Sequence, residues 1–267
     1  MSISGQVAIV TGGARGLGRA YALRLAELGA DVAILDIDLD AAARMDEALS
    51  GPSVVGEIEA LGRRGVGIEV NLCDEAAARD AIAQVVSNFG SPRILVNNAG
   101  GMVVPVTNST ATTSSLGDAQ TVFDVNFWSM FHCCQAVVPA MRDAGGGTIV
   151  NTSSQTAVSV YPGGAMAAYG ASKAAVAQFT RYLASEAGPW GIRVNCIAPG
   201  IIQTSRIIKQ AAARGVGTAE QTGHIPLRRF GRPEDCVGAI EFFVSDLSQY
   251  VTGQCLCIDG GAVLTPS

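Results

Sequence analysis

The sequence is poor in charge, because only 15% of its 267 residues are Asp, Glu, Lys or Arg. Its formal net charge is −5, and Lys and Arg form no cluster, which argues against nucleic acid as a partner. With 48% hydrophobic residues, the chain is expected to fold compactly rather than to be disordered. So little charge also indicates buried surface beyond that of one monomer, and hence a homo-oligomer.

Long apolar runs are absent as well. No run is long enough to span a membrane, and residues 1–5 do not resemble a secretory signal, so we expect a cytoplasmic protein with no membrane partner. The seven cysteines are odd in number and lie mostly in apolar patterns, which predicts reduced core residues. Because no histidine cluster accompanies Cys255 and Cys257, no metal site is expected.

What the chain does contain is a regular alternation of short apolar runs and helical patterns. Such an order is typical of a parallel sheet covered by helices on both faces. The predicted strands are Val7–Val10, Val32–Leu35, Val66–Val70, Ile94–Val96, Thr148–Asn151, Arg193–Ile197 and Cys255–Ile258. The predicted helices lie near 17–28, 38–62 (interrupted), 75–89, 119–142, 167–187 and 233–245. One doubly wound α/β domain over residues 1–267 is therefore expected.

Three stretches interrupt this alternation. Pro and Gly in Leu49–Ser53 break the second helical connection. The Ser- and Thr-rich stretch Thr107–Gly117 predicts a loop. Gln203–Arg229 has weak periodicity and several glycines, which indicates a flap over a substrate.

Chemically suggestive residues follow several of the predicted strands. They are Gly12, Asp36, Asn97, Ser154 and the pair Pro199–Gly200. Because ligands of such sheets bind outside the carboxyl ends of the strands, we expect these residues to converge on one site.

A glycine-rich loop, Thr11–Gly18, joins the first strand to a helix. Glycines let the backbone turn sharply and approach a pyrophosphate, and the helix N-terminus offers free N–H groups. The spacing is Gly-x-x-x-Gly-x-Gly through Gly12, Gly16 and Gly18. A plain tight turn would also explain a glycine cluster, but the position after the first strand favours nucleotide binding.

Asp36 ends the second strand. A carboxylate there can accept hydrogen bonds from ribose hydroxyls and repels a 2′-phosphate, which favours NAD over NADP. Arg15 is the opposing signal, since a basic residue in the glycine loop suits a phosphate. A turn or N-cap role is the alternative for Asp36, and Asp38 could fill that role too.

Tyr169 and Lys173 lie four residues apart, and this spacing puts both on one face of a helix. A phenol with a pKa of ~10 is a poor base near neutral pH. A cation ~5 Å away favours the phenolate by roughly 3 kcal/mol at an effective dielectric of ~20 and lowers the phenol pKa by about two. Solvated helices also carry such pairs, so the rest of the chain must decide.

Taken together, these motifs resemble the short-chain dehydrogenase/reductase family over essentially the whole chain. The matching elements are Thr11–Gly18, Asn97–Gly100, Asn126, Ser153–Ser154, Tyr169-x-x-x-Lys173, Pro199–Gly200, Val251–Gly253 and Asp259–Gly261. The resemblance implies a single-domain Rossmann-type fold with a seven-stranded parallel sheet. It also implies a homotetramer that packs through the helices at 119–142 and 167–187.

The resemblance implies a catalytic tetrad. Tyr169 is the acid/base, Lys173 lowers its pKa and binds the nicotinamide ribose, Ser154 donates a hydrogen bond to the substrate oxygen, and Asn126 holds a water that links Lys173 to solvent. Asn97 and Gly100 would border the adenosine ribose. The implied NAD-binding residues are Gly12, Arg15, Gly16, Leu17, Gly18, Asp36, Asn71, Leu72, Asn98, Ala99, Gly100, Tyr169, Lys173, Pro199, Gly200, Ile202 and Thr204.

The chain departs from the family pattern in three places. Ser154 precedes Tyr169 by 15 residues, two more than is usual, so Ser153 or Thr156 could replace it. Asn71 stands where an aspartate commonly contacts the adenine. An insertion near Ser50–Gly56 is expected far from the chemistry, as surface or interface structure.

The sequence therefore predicts an NAD-dependent oxidoreductase that interconverts a secondary alcohol and a ketone. Apolar residues near the predicted pocket indicate a moderately hydrophobic substrate; they are Ile201, Ile202, Ile207, Ile208, Val158, Val160 and Met166. Two alternatives stay open: a 3-oxoacyl-thioester reductase of the same family, and a binding protein that uses NAD as a sensor without turnover.

Overall fold

Seven parallel strands form one sheet in the order β3-β2-β1-β4-β5-β6-β7. A computed structural model describes residues 3–209, 211 and 218–264 of the chain. The strands are β1 Val7–Thr11, β2 Asp31–Asp36, β3 Gly65–Glu69, β4 Pro92–Asn97, β5 Gly147–Thr152, β6 Ile192–Pro199 and β7 Cys255–Ile258. All seven predicted strands are present, so the predicted Rossmann-type parallel sheet is confirmed.

Helices cover both faces of the sheet. They are α1 Gly16–Glu27, α2 Ala41–Arg44, α3 Val54–Ala60, α4 Glu75–Phe89, α5 Leu116–Phe123, α6 Ser129–Asp143, α7 Ala167–Ala187, α8 Ser205–Lys209, α9 Ala219–Gly223 and α10 Pro233–Val244. Ala8 and Val10 of β1 pack with α1, α3 and α10, whereas Val7 and Ile9 pack with α4, α6 and α7. Successive residues of a strand face opposite helical layers. The residues on both faces of the strand must therefore be apolar, which explains the continuous apolar runs.

Two predicted helices differ from the structure. The connection predicted as an interrupted helix over 38–62 contains only α2 and α3, because Gly51 and Pro52 separate them and Asp46 adopts a left-handed φ of 55°. The helix predicted at 119–142 begins earlier, at Leu116, where the Ser115 hydroxyl accepts from the Asp118 N–H at 3.0 Å. This cap makes the end of the predicted Thr107–Gly117 loop helical.

The strand order reverses between β1 and β4, and this crevice is the switch point at which such sheets bind ligands. The Thr11 hydroxyl accepts hydrogen bonds from the N–H groups of Asn98 and Ala99 at 3.0 and 3.1 Å, which joins the two strand ends. Of the predicted flap, residues 210 and 212–217 lie outside the described residues; the rest contains α8 and α9. Among the helices that the structure describes, none is both long enough and apolar enough to cross a membrane.

Candidate active site

The glycine loop is packed so tightly that Gly18 cannot carry a side chain. A Cβ at that position would lie 1.9 Å from the carbonyl oxygen of Gly12. The Asn98 amide donates to the same oxygen at 3.0 Å and to that of Thr11 at 3.2 Å. Asn98 thus fixes the loop from the β4 side and leaves the N-terminus of α1 facing the crevice. The crevice between the ends of β1 and β4 opens into one cleft, and Gly18 itself does not line that cleft.

Asp36 lines the cleft at the end of β2. One carboxylate oxygen accepts from the N–H of Ala14 at 3.0 Å and the other from the N–H of Asp38 at 3.2 Å. Burial raises the pKa of Asp36, while these backbone hydrogen bonds oppose the rise. The Asp38 carboxylate accepts from the Asp40 N–H at 3.1 Å, so both aspartates make turn contacts. Each Asp36 oxygen that accepts one backbone N–H keeps acceptor capacity for a further donor.

Tyr169 and Lys173 both line the other end of the cleft, as their helical spacing predicts. The Lys173 ammonium donates to the carbonyl of Thr152 at 2.7 Å and lies 5.8 Å from the centre of the Tyr169 ring. Lys173 is 3% exposed, and burial lowers its pKa to about 7, helped by the positive charge of Arg206. A lysine in this state responds strongly to any negative charge brought into the cleft.

The three candidate hydroxyls after β5 have different partners. The Ser153 hydroxyl donates to the carbonyl of Lys173 at 2.7 Å, so its proton is already committed. The Ser154 hydroxyl oxygen accepts from the N–H of Thr156 at 3.2 Å, which leaves its proton for a substrate oxygen. The Thr156 hydroxyl is buried without a hydrogen-bond partner in the described structure. These contacts favour Ser154, and Thr156 is the second candidate.

Asn126 lies in a π-helical turn, Asp124–Trp128, between α5 and α6. Its side-chain amide donates to the carbonyls of Gly101 at 2.9 Å and Val122 at 2.8 Å, and its oxygen accepts from the Gly101 N–H at 2.8 Å. It is 1% exposed and does not line the cleft. The hydrogen bonds of the Asn126 side chain therefore hold the Gly101 peptide, and the predicted water relay stays a prediction.

The other predicted cofactor residues come together in the same cleft. It is lined by Gly12, Arg15, Gly16, Leu17, Asn71, Leu72, Asn98, Ala99, Gly100, Pro199, Gly200, Ile202 and Thr204. Asn97 is an exception: it is 3% exposed, and its amide donates to Asn151 at 2.9 Å, so the expectation that it borders the ribose is wrong. As the last residue of β4, Asn97 points away from the crevice, because alternate strand residues face opposite sides.

The insertion near Ser50–Gly56 does not line the cleft, but it contacts the helix that follows the glycine loop. Ser50 donates through its N–H and its hydroxyl to Glu57, each at 2.8 Å. Glu57 pairs in turn with Arg19 of α1 at 2.7 Å, and this contact lowers the pKa of Glu57 to about 2 despite the opposing effect of burial. The insertion is thus fixed to the helix that follows the glycine loop.

Glu47, just before this insertion, is a residue that sequence reasoning missed. Its carboxylate accepts from the N–H of Gly16 at 3.0 Å and from the hydroxyl of Ser205 in α8 at 2.5 Å. We call this arrangement the Glu47 clasp. It joins the glycine loop to the flap over sequence separations of 31 and 158 residues. No local pattern in the sequence signals such contacts.

The apolar residues predicted to shape the pocket divide into two groups. Ile201, Ile202, Ile207 and Met166 line the cleft, whereas Ile208, Val158 and Val160 do not and are 62%, 50% and 85% exposed. Tyr161 and Arg206, which the sequence analysis did not single out, also line it. Arg206 follows Thr204 by two residues, and this position near the cleft is the one signal that could have marked it.

Comparisons with known proteins agree on one family. The model of a family described as enoyl-(acyl carrier protein) reductase matches residues 12–263. A cyclohexanol dehydrogenase from Rhodococcus sp. (strain TK6) is 43% identical over 98% of this chain and 97% of its own. A 3alpha-hydroxysteroid dehydrogenase from Mediterraneibacter gnavus is 37% identical over 98% of each chain.

Solved structures give the same result. NAD+-bound xylitol dehydrogenase superposes with a TM-score of 0.87 at 30% identity, covering 98% of this chain and 100% of its own. A short-chain type dehydrogenase/reductase from Mycobacterium marinum also has a TM-score of 0.87, at 32% identity over 99% and 98% of the two chains. The match therefore extends over nearly the whole chain.

Proposed function

Because the chain belongs to the short-chain dehydrogenase/reductase family, we propose that it interconverts a secondary alcohol and a ketone with NAD. The observation that carries this proposal is one cleft that joins a glycine loop and Asp36 to Ser154, Tyr169 and Lys173. A hydride-transfer enzyme needs both ends, since the dinucleotide must reach from a phosphate-binding loop to the reacting carbon.

The residues of the cleft fit NAD. The positive end of the α1 dipole faces the cleft and suits a pyrophosphate, although the Gly16 N–H at the start of α1 is held by Glu47 in this structure. The Asp36 carboxylate, held by two backbone N–H groups, keeps acceptor capacity for ribose hydroxyls. Asn71 retains acceptor capacity for an adenine amino group, although its side-chain oxygen already accepts from the Cys73 N–H at 3.1 Å. When bound, NAD supplies the hydride acceptor.

The chemistry that falls to the protein is proton transfer and positioning. In the oxidative direction, Tyr169 takes the proton of the substrate hydroxyl while the carbinol hydrogen leaves as hydride. Ser154 donates a hydrogen bond to the same oxygen and holds it beside the phenol. The protonated form of Lys173 favours the phenolate form of Tyr169 by its charge. Asn126 positions the Gly101 peptide that borders the site.

A secondary alcohol of moderate hydrophobicity suits the walls of the cleft. The cleft that contains Ser154, Tyr169 and Lys173 also offers a substrate the apolar side chains of Ile201, Ile207 and Met166. The Rhodococcus relative, named cyclohexanol dehydrogenase, supports a cyclic secondary alcohol as the first substrate to test.

The test is a substrate panel with both cofactors. Four substrates are each tested with NAD and with NADP: cyclohexanol, a 3-hydroxysteroid, xylitol and a 3-hydroxyacyl thioester. The formation of NADH or NADPH is measured by absorbance. We expect NADH formation with cyclohexanol. Turnover confined to the thioester with NADP would instead identify a 3-oxoacyl-thioester reductase. Tight NADH binding without turnover of any alcohol would identify a sensor.

Asp36→Ala is expected to narrow the preference for NAD over NADP by about 10- to 100-fold in kcat/KM. The variant loses hydrogen bonds to the ribose hydroxyls and also the repulsion of a 2′-phosphate. Steady-state kinetics with both cofactors measure the ratio. Asp38→Ala is the matched control, because it removes an aspartate of the same turn that does not line the cleft. An unchanged ratio in Asp36→Ala would mean that the ribose is recognised elsewhere.

We also propose that the protein self-associates through α6, α7 and the π-helical turn. An aromatic cluster spans this face, where Phe127 lies 5.0 Å from Trp128 and 6.0 Å from Phe179 of α7 between ring centres. Trp128 is nevertheless 42% exposed. An exposed indole on an apolar cluster is typical of a protein–protein contact.

Trp128→Glu is therefore expected to reduce the molar mass in solution to that of a smaller assembly, because a buried carboxylate opposes association. Light scattering after size exclusion measures the change. Leu61→Glu serves as control, since it adds the same charge at a residue of similar exposure, 44%, at the end of α3. Equal masses for all three proteins would exclude this interface.

A further inference from the structure

Arg206 extends from α8 into the catalytic end of the cleft. A Cβ built on Gly101 would lie 2.5 Å from Nη2 and 2.8 Å from Nη1 of Arg206. Gly101 has a φ of 128°, and Asn126 holds both its N–H and its carbonyl. The guanidinium therefore rests on a fixed peptide that has no side chain, and any larger residue at position 101 would displace it.

The charges of the cleft are unevenly distributed. Among the described residues that line the cleft, Asp36 is the single acidic residue, whereas three residues are basic: Arg15, Lys173 and Arg206. Asp36 ends β2, two strands from the β4 end that precedes Gly101 and three from β5, roughly 10 to 14 Å away at ordinary strand spacing. The catalytic end thus combines a lysine and an arginine, and the charge of Arg206 contributes to the lowered pKa of Lys173.

Apolar side chains line this end beside the polar ones of Gln155, Thr156 and Tyr161. The apolar side chains are those of Met102, Val103, Val106, Met166, Ile201 and Ile207. Arg206 is half-buried, and a half-buried guanidinium interacts more strongly with an anion than a fully exposed one does. Its planar set of N–H donors matches a carboxylate, which it can bind through two parallel hydrogen bonds.

We propose that Arg206 binds a carboxylate on the substrate, so that the preferred substrates are secondary alcohols carrying a carboxylate away from the reacting carbon. The inference rests on the proposed function and adds the substrate class. A second source of negative charge is the pyrophosphate of the cofactor. That group is expected along the glycine loop, and Thr204 rather than Arg206 lies there. The Thr204 Cβ is 3.6 Å from a Cβ built on Gly16, whereas Arg206 lies against Gly101.

The test compares two alcohols of nearly equal shape, 4-hydroxycyclohexanecarboxylate and 4-hydroxycyclohexanecarboxamide, with NAD as cofactor. The wild-type enzyme is expected to prefer the carboxylate in kcat/KM. Arg206→Met should lower kcat/KM for the carboxylate about 30-fold, change the value for the carboxamide less than about 3-fold, and leave the KM for NAD unchanged. Arg206→Lys should retain part of the preference, because it keeps the charge but loses the paired donors.

Lys209→Met is the matched control. It removes a positive charge from the same helix, but Lys209 pairs with Asp46 at 2.6 Å and does not line the cleft. Its preference should equal that of the wild type. If circular dichroism shows that Arg206→Met does not fold, the inference is still tested by two measurements. These are the preference of the wild type for the carboxylate over the carboxamide, and the change in that preference in Arg206→Lys.

Two results would overturn the inference. One is a wild-type enzyme that does not prefer the carboxylate over the carboxamide. The other is an Arg206→Met enzyme whose KM for NAD rises while both alcohols suffer equally, which would assign the guanidinium to the cofactor. Failure of the proposed function is distinct from both, since it means that no alcohol of the earlier panel, cyclohexanol included, yields NADH.

Discussion

Replacing Tyr169 with phenylalanine is expected to lower kcat by at least about 10³-fold while NADH binding changes little. The substitution removes the hydroxyl that we propose as the acid/base but keeps the ring, whose centre lies 5.8 Å from the Lys173 ammonium. Packing at the start of α7 should therefore survive. Initial rates of NADH formation measure the first effect, and titration of NADH fluorescence measures the second.

The control for this change is Tyr182→Phe. It removes a phenol hydroxyl from the same helix at a residue that is 70% exposed and outside the cleft. The two variants thus differ only in where the hydroxyl was lost. If Tyr169→Phe kept more than a tenth of the wild-type rate, another group would have to be the acid/base, and Tyr161, which also lines the cleft, would be the next phenol to test.

Lys173→Met is expected to change how stability depends on pH, in addition to abolishing turnover. In the folded protein the pKa of Lys173 is about 7, and its ordinary value is 10.5. Between these values the unfolded chain holds a proton that the folded protein does not. The wild type therefore gains stability as pH rises through this range, and below pH 7 it carries the full cost of a buried charge. The methionine variant has no such cost.

The free energies of unfolding of the two proteins should consequently diverge with pH. The difference, wild type minus variant, should rise by up to about 4 kcal/mol between pH 6 and pH 10.5, as measured by urea unfolding at a series of pH values. Lys209→Met, which removes an ammonium that is 40% exposed, provides the comparison. If the free energy of unfolding depended on pH in the same way in Lys173→Met and Lys209→Met, burial would not shift the pKa of Lys173.

The sequence predicts well what a regular pattern encodes. Alternating apolar runs and helices gave the seven strands in their correct places, and parallel topology then brought Gly12, Asp36 and Ser154 to one edge. The spacing of Tyr169 and Lys173 predicts that both lie on one face of a helix, and both line the cleft. These are short-range signals whose consequence follows from the geometry of helices and parallel sheets.

Contacts between distant segments were not predictable in this way. The π-helical turn at Asp124–Trp128 turns Asn126 toward Gly101, and no residue type marks such a turn. Asn97 ends its strand as predicted, but the register of β4 directs its side chain toward Asn151. Arg206 enters the cleft because Gly101 leaves room for it, and that fit is visible only once both segments are placed.

The Glu47 clasp has a thermodynamic consequence for binding in the cleft. One carboxylate is shared by the Gly16 amide, in the glycine loop, and the Ser205 hydroxyl, at the start of the helix that carries Arg206. Movement at one partner must alter the hydrogen bond to the other. For the proposed function, we expect the dinucleotide and alcohol affinities to be coupled, and linkage then requires that each ligand change the affinity of the other by the same factor.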